Sequence, residues 1–341
     1  MYSFRNDYSE GAHPKVLQAL ADTNLEQTCG YGLDPRCRAV EDLIRNLCAA
    51  PSAAVHFLVG GTQTNLVVID AVLASYEAVI APCTGHVNTH ETGAIEATGR
   101  KVCAVPAPDG KLTPALVEGV LSEHNGTEHM VLPRLVYISD TTEIGTLYTK
   151  AELTALRRCC DDHGLFLYLD GARIGSALTA PGSDLTLADL AALTDAFTIG
   201  GTKNGALFGE ALVLSEPRSH FRWHMKRRGA ILAKGRLLGV QFQALLEDGL
   251  FFDLARRANA MALRLRAGVA DLGYSFPVES PSNQQFPVLP NAVIDRLRGM
   301  GYKFELDHPV DADRTCVRFV TSWATPEQAV EDFLRDLAAC R

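Results

Sequence analysis

Lys203 follows the apolar run Phe197-Thr198-Ile199-Gly200-Gly201-Thr202 and precedes Asn204-Gly205-Ala206. A lysine delivered past a buried strand, among residues too small to shield it, can be desolvated. That lowers its pKa and leaves neutral amine to attack an aldehyde. A second run, Leu165-Phe166-Leu167-Tyr168-Leu169, closes on Asp170-Gly171-Ala172-Arg173. An acid ending one strand and a lysine ending a later one is the pairing that pyridoxal 5′-phosphate requires. The carboxylate keeps the pyridine nitrogen protonated, and the lysine holds the aldehyde as a Schiff base.

Gly60-Gly61-Thr62-Gln63-Thr64-Asn65 stands between an apolar run and a helical pattern. Free N–H groups at a helix N-terminus, unobstructed by Cβ atoms, bind a phosphate dianion. A glycine pair there is also ordinary turn geometry. It lacks the glycine spacing of a dinucleotide fingerprint and the Lys-Ser/Thr pair of a Walker loop. His86, in Pro82-Cys83-Thr84-Gly85-His86 with Glu91 beyond, could stack on a cofactor ring and exchange protons near neutral pH, or simply bond within its loop. Arg173 and Arg318 could each grip an amino-acid carboxylate bidentately or serve as surface ion-pair partners. The basic group Lys226, Arg227, Arg228, Lys234 and Arg236 reads as a solvated helix face, with Lys234 or Arg236 the alternative phosphate contacts.

The elements that must position these residues alternate apolar runs with helical patterns across residues 51–215, an α/β arrangement with a largely parallel sheet covered on both faces. Seven strands are expected, at 55–59, 78–81, 102–105, 135–138, 165–169, 196–199 and 211–214. Helices are expected at 64–75, 113–123 and 150–163. This large domain continues through a basic helical stretch to about residue 245. A smaller α+β domain, 246–341, follows. Residues 1–50 read as an arm plus a helix, 35–48, packing with the small domain.

A chain of 341 residues is ample for a sizeable core. The net charge of −8 argues against nucleic acid as a partner. Nine cysteines, without zinc-ligand spacing, suggest reduced thiols, no metal and a cytoplasmic setting. No run approaches the roughly 18 apolar residues of a membrane span, and the start lacks an export signal's apolar stretch.

Several spaced motifs, in order, carry a resemblance that covers nearly the whole chain. They are Phe4-Arg5-Asn6-Asp7, Tyr31-Gly32-Leu33-Asp34-Pro35, Gly61-Thr62-Gln63-Thr64-Asn65, His86 with Glu91, Leu169-Asp170-Gly171-Ala172-Arg173, Gly201-Thr202-Lys203-Asn204-Gly205, and Arg318-Phe319-Val320-Thr321-Ser322-Trp323. The chain resembles the L-threonine aldolases of the β-eliminating lyase group, which are fold-type-I pyridoxal-phosphate enzymes. The resemblance implies Lys203 as the Schiff-base lysine and Asp170 as the partner of the pyridine nitrogen. Gly61, Thr62 and Thr202 would hold the phosphate, and His86 would stack on the ring. Arg173 and Arg318 would take the substrate carboxylate. Tyr31 would face a neighbouring subunit's cofactor, so a homodimer or homotetramer is implied.

Two departures bear on the substrate. Many members carry Arg-Ser-Asp where this chain has Arg5-Asn6-Asp7, so Ser9 becomes the candidate hydroxyl contact. Some members place a second histidine where this chain reads Ser139-Asp140-Thr141-Thr142-Glu143. The implied reaction is retro-aldol cleavage of a β-hydroxy-α-amino acid to glycine and an aldehyde. β-Elimination and transamination would use the same Lys203 and Asp170, and a non-catalytic scaffold would need neither.

Overall fold

In the computed structural model, which describes residues 1–124 and 126–340, seven strands form one sheet. They are β1 (Ala54–Leu58), β2 (Glu77–Pro82), β3 (Lys101–Val105), β4 (Leu132–Ser139), β5 (Phe166–Asp170), β6 (Ala196–Gly200) and β7 (Glu210–Leu214), ordered β1-β7-β6-β5-β4-β2-β3. β7 runs antiparallel to both β1 and β6, while the other pairs are parallel. Each of the seven expected strands overlaps one of these. Every residue of β5, β6 and β7 is buried, which explains their unbroken apolar runs: helices cover both faces, so no alternation is needed. Leu167 and Leu169 face one apolar layer, and Tyr168 faces the other.

Local chemistry sets the helices. Asp34 accepts from the Cys37 amide ahead of Pro35 and starts α2 (Pro35–Leu47), the second helix after α1 (Pro14–Asp22). Thr149 and Glu152 form a capping box for the helix Lys150–His163, which stops at left-handed Gly164. The third helix, α3 (Gly61–Val72), starts three residues earlier than its apolar pattern suggests, because Gly60 caps it without any side-chain bond.

A second sheet contains β8 (Gln284–Gln285), β9 (Val288–Pro290), β10 (Glu305–Pro309) and β11 (Arg314–Val320), with β11 pairing all three others. Its core gathers Phe4, Leu265, Val317, Phe319 and Phe333. β10 escapes sequence reading because it is mostly exposed and its Asp307-His308-Pro309 end has no apolar alternation.

The N-terminal arm joins this core through Phe4, whose amide donates to Lys303 O and whose carbonyl accepts from Val320 N, both at 2.8 Å. α2 lies elsewhere. Its buried Cys37, Val40 and Ile44 belong to the core of the large sheet, and a Cβ added to Gly239 of the helix Arg236–Leu246 would stand 2.7 Å from Cys37 Sγ. That close approach holds α2 to the large sheet's side rather than to the second sheet.

Candidate active site

Two glycines bring the ends of β5 and β6 together. A Cβ on Gly171 would sit 1.9 Å from Thr198 O, and one on Gly200 would sit 2.5 Å from Ala172 O. No other residue fits either place. The Gly171 amide also takes the Thr198 hydroxyl as acceptor, at 2.7 Å. Asp170 and the Lys203 loop are therefore locked side by side at one edge of the sheet.

Three donors orient the Asp170 carboxylate. Asn65 Nδ2 (2.9 Å) and Tyr137 OH (2.7 Å) donate to Oδ2, and the Ala172 amide donates to Oδ1 at 3.0 Å. Asn65 sits on α3, accepts from Tyr168 OH at 2.7 Å and also donates to Glu91 at 2.7 Å. Glu91 in turn holds His86 Nδ1 at 2.8 Å. A continuous polar chain thus runs from His86 through Glu91 and Asn65 to Asp170. Burial lowers the His86 pKa, but the Glu91 bond and the charges of Glu143 and Asp170 outweigh it, and the net shift is upward.

Lys203 lies on the turn between β6 and β7. Gly201 and Thr202 amides donate to Gly209 O at 2.9 and 3.2 Å, and Asn204 Nδ2 donates to Phe251 O at 2.7 Å. Burial and the nearby Arg173 lower the lysine's pKa by more than Asp7, Glu143 and Asp170 raise it. The amine is thereby made a better nucleophile at neutral pH. Lys203 and Arg173 line one cleft with Asp7, Ser176, Asn204 and Asn283.

Arg173 is held by Asp7, with Nε at 2.7 Å from Oδ2 and Nη2 at 3.1 Å from Oδ1. Asn283 Nδ2 adds a bond to Asp7 Oδ2 at 3.0 Å. Sequence reasoning passed over Asp7, Asn283 and Glu143. Asp7 ended the quoted Phe4-Arg5-Asn6-Asp7 motif, which was a signal for its use; nothing in the sequence pointed to its partner. Glu143 ends the stretch in which some members place a second histidine, and its charge acts on His86, Arg173 and Lys203 together.

The remaining expected residues fall into five places. Gly61 opens α3, and a Cβ on Gly60 or Gly61 would meet nothing within 4 Å, so space lies open before the helix's first amides. Thr62 is exposed in that first turn. Thr202 faces Glu210, with Oγ1 2.9 Å from Oε1. Arg318 stands on β11 on the face opposite Val317 and Phe319, and its buried Nε has no hydrogen-bond partner among the described residues. Tyr31 is half exposed beneath the Lys226 ammonium, 5.2 Å away, and lines a different cavity with His56 and Arg222. Ser9 is exposed, its hydroxyl donating to Asn6 Oδ1 at 2.9 Å.

The basic group is not a free solvated face. Arg227 and Arg228 bond the buried Asp70 carboxylate at the far end of α3, joined there by Arg100. Arg236 donates to the carbonyls of Thr23 and Glu26.

These residues fit pyridoxal 5′-phosphate. Asp170 has lone pairs left for a pyridinium N–H, Lys203 offers a lowered-pKa amine, and α3 presents unpaired amides to open space where a phosphate would sit.

A sequence model of the β-eliminating lyase family matches residues 4–291. The low-specificity L-threonine aldolase of Pseudomonas aeruginosa is 32% identical over 98% of this chain and 96% of its own. That of Saccharomyces cerevisiae is 26% identical over 82% of this chain and 73% of its own. Among solved structures, the threonine aldolase of Leishmania major superposes with a TM-score of 0.97 at 49% identity, covering 99% of both chains. An aspartate aminotransferase variant from Thermus thermophilus, at 16% identity and TM-score 0.73 over 99% of this chain and 91% of its own, shares the fold. With its lysine and aspartate locked together on a fold-type-I scaffold, the chain belongs to the β-eliminating lyase family of pyridoxal-phosphate enzymes.

Proposed function

We propose that the protein cleaves L-threonine, L-allo-threonine or a related β-hydroxy-α-amino acid to glycine and an aldehyde. The observation that carries the reading is the polar chain that ties His86 to the Asp170 carboxylate beside Lys203. It sets a proton acceptor and a cofactor anchor in one fixed frame. The 32% identity to the P. aeruginosa L-threonine aldolase supports the same substrate class.

Bound pyridoxal 5′-phosphate supplies the electron-accepting ring toward which the Cα–Cβ bond electrons move. Asp170 would keep a positive charge at the ring nitrogen, and His86 would lie against the ring. Arg173, immobilised by Asp7, and Arg318, with its free Nε, would bind the substrate carboxylate and so fix the orientation of the Cα–Cβ bond. His86 Nε2, directly or through an ordered water, takes the β-hydroxyl proton, while Glu91 on Nδ1 stabilises the charge that the imidazole gains. The α-carbon takes up one proton in exchange for the one removed from the β-hydroxyl, which makes it glycine, and Lys203 would hold the cofactor's aldehyde between turnovers.

Tyr31 lines a cavity separate from Lys203 and half of it faces outward, which supports a role toward the site of a second subunit in a dimer or tetramer. Among the described residues no helix is long and apolar enough to cross a membrane. A cytoplasmic setting is part of the proposal.

The test is incubation with L-threonine, followed by separate assays for glycine, acetaldehyde, ammonia and keto acid. Glycine and acetaldehyde in equal amounts are expected. Ammonia with a keto acid would instead mean elimination. Lys203→Ala should lose both turnover and the visible absorption band of the bound cofactor, and undiminished cleavage in that variant would refute the assignment.

A further inference from the structure

Glu210 is a buried acid without a part in the scheme above. It opens β7 just after Gly209 and is opposed by Leu58 on β1 and Gly200 on β6. Only 4% of it is exposed. Leu58 and Leu212, its ladder partner and its same-face neighbour on β7, pack in the layer beneath α3 with Val67 and Val68. Its side chain therefore lies on the α3 face of the sheet, near the helix end that begins just beyond β1. Its Oε1 stands 2.9 Å from Thr202 Oγ1, which also accepts the Gly209 amide at 3.0 Å.

The charged surroundings are few. Lys203 from the β6–β7 turn, and Asp170 and Tyr168 from β5, act on Glu210 or feel its charge. β1 contributes His56, opposite Leu212, and burial holds that imidazole down at about 4, so it is neutral. α3 has no ionisable side chain before Asp70, and Arg236 of the helix Arg236–Leu246 is turned to Thr23 O. Burial pushes the Glu210 carboxyl up to about 8, beyond what Lys203 and the Thr202 bond take off. At neutral pH it is mainly an uncharged acid.

We infer that Glu210 works as a protonated acid that turns the Thr202 hydroxyl toward the cofactor's phosphate, and that its ionisation loosens the cofactor. This rests on the reading that the phosphate lies between the first amides of α3 and Thr202. While neutral, Glu210 donates its O–H to Thr202 Oγ1. That oxygen spends its other lone pair on the Gly209 amide, and its own proton, whose other neighbouring acceptor is Gly209 O at a long 3.5 Å, can go to a phosphate oxygen. When Glu210 gives its proton to solvent, the Thr202 hydroxyl swings round to donate to the carboxylate. The phosphate dianion then loses a donor and gains an anion in the same dry space. By linkage, a bound phosphate holds the proton on Glu210 to higher pH.

The experiment is the dissociation constant of pyridoxal 5′-phosphate from the full-length protein between pH 6.5 and 9.5, with pyridoxal, which lacks the phosphate, as reference. Taking the ratio of the two cancels the pH dependence of imine formation at Lys203. In the wild type, the preference for the phosphorylated form should be level near pH 7. It should fall by up to about tenfold per pH unit above about 8, the slope for release of one proton. Glu210→Gln, whose amide can donate to Thr202 as the neutral acid does, should keep the preference and lose the fall. Thr202→Val should lower the preference near pH 7 and make the fall shallower, so that it converges on the wild type at high pH.

A wild-type-like fall in Glu210→Gln, beside a Thr202→Val that does weaken phosphate preference, would overturn the role of Glu210 alone. An unchanged preference in Thr202→Val would overturn the placement of the phosphate, and this inference with it. If Glu210→Gln yields no folded protein, Thr202→Val decides: a fall as steep as the wild type's in that variant refutes the coupling through Thr202.

Discussion

Asp7 and Arg173 lie 166 positions apart and close two hydrogen bonds, at 2.7 and 3.1 Å, within the cleft that also holds Lys203. The arm of the chain thereby reaches from the second sheet's core into the large sheet's site. It presents a guanidinium that is already oriented when a substrate carboxylate arrives.

That pair should be visible in stability. Burial raises the Asp7 pKa, but Arg173 and Lys203 lower it further, and the folded value ends below the ordinary one. Its contribution is complete above the unfolded value of about 4 and is lost as pH falls through the lower folded value. Asp7→Asn should cost about 3 kcal/mol at pH 7, because it leaves Arg173 buried and unpaired. The gap from wild type should narrow below about pH 4. Urea denaturation at the two pH values checks both statements.

A pH profile tests His86 as the base. The neutral imidazole is the competent form, and its pKa is raised, so kcat/KM should climb with pH through a value above the usual ~6.5. Glu91→Gln removes the bond that raises it most, and the acid limb should move to lower pH. His86→Ala should reduce kcat about 100-fold or more while weakening cofactor binding less. A limb that stays put in Glu91→Gln would make some other group the titrating one.

Arg318 offers the opposite signature to Asp7. Its buried Nε has no partner, so Arg318→Ala removes an unmet donor and should leave the unfolding free energy unchanged or slightly higher. Losing a charge-assisted bond to the substrate carboxylate should raise KM by about 10- to 100-fold, for a bond worth about 1.5–3 kcal/mol. Steady-state kinetics beside thermal melts would separate the two effects.

Asn65 joins two carboxylates, Glu91 and Asp170, and takes the Tyr168 hydroxyl. Asn65→Ala leaves that hydroxyl unpaired in a buried place, at a cost of about 1–3 kcal/mol. Asn65→Asp should cost more at pH 7, since a third negative charge meets the other two. Repulsion raises the new acid's folded pKa, so this deficit should shrink as pH falls through that raised value and be gone by about pH 4, the unfolded value. Denaturation of both variants at pH 7 and 4 decides it.

Asp170 and Lys203 were readable because each ends an unbroken apolar run, and such a run is what a strand covered on both faces must be. β7 is legible for the same reason, whereas β3 at the sheet's edge shows only a short run, Val102–Val105, with two of its five residues exposed. Asp7 is legible only as the end of a motif, because nothing along the chain marks which distant residue the arm will reach. Glu210 stayed hidden too: an acid beside a glycine at a strand's start looks like surface until the sheet shows β7 flanked on both sides. The basic run at 226–228 looked solvated because its partner, Asp70, lies on a helix far back in the sequence. Apolar periodicity reports burial, and these polar pairings leave no such trace.

The reversal of β7 has one more consequence. A parallel return from β6 would have required a crossover of about a dozen residues or more, usually with a helix. The antiparallel strand lets residues 201–209 double straight back, cross-linked by Gly201 and Thr202 amides on Gly209 O. The nucleophile's tether is thus no longer than a hairpin, anchored in the sheet at both ends. Adding a residue or two to that tether would leave both strands paired and the scaffold as strong, yet let the amine wander, so the enzyme would lose aim before it lost stability.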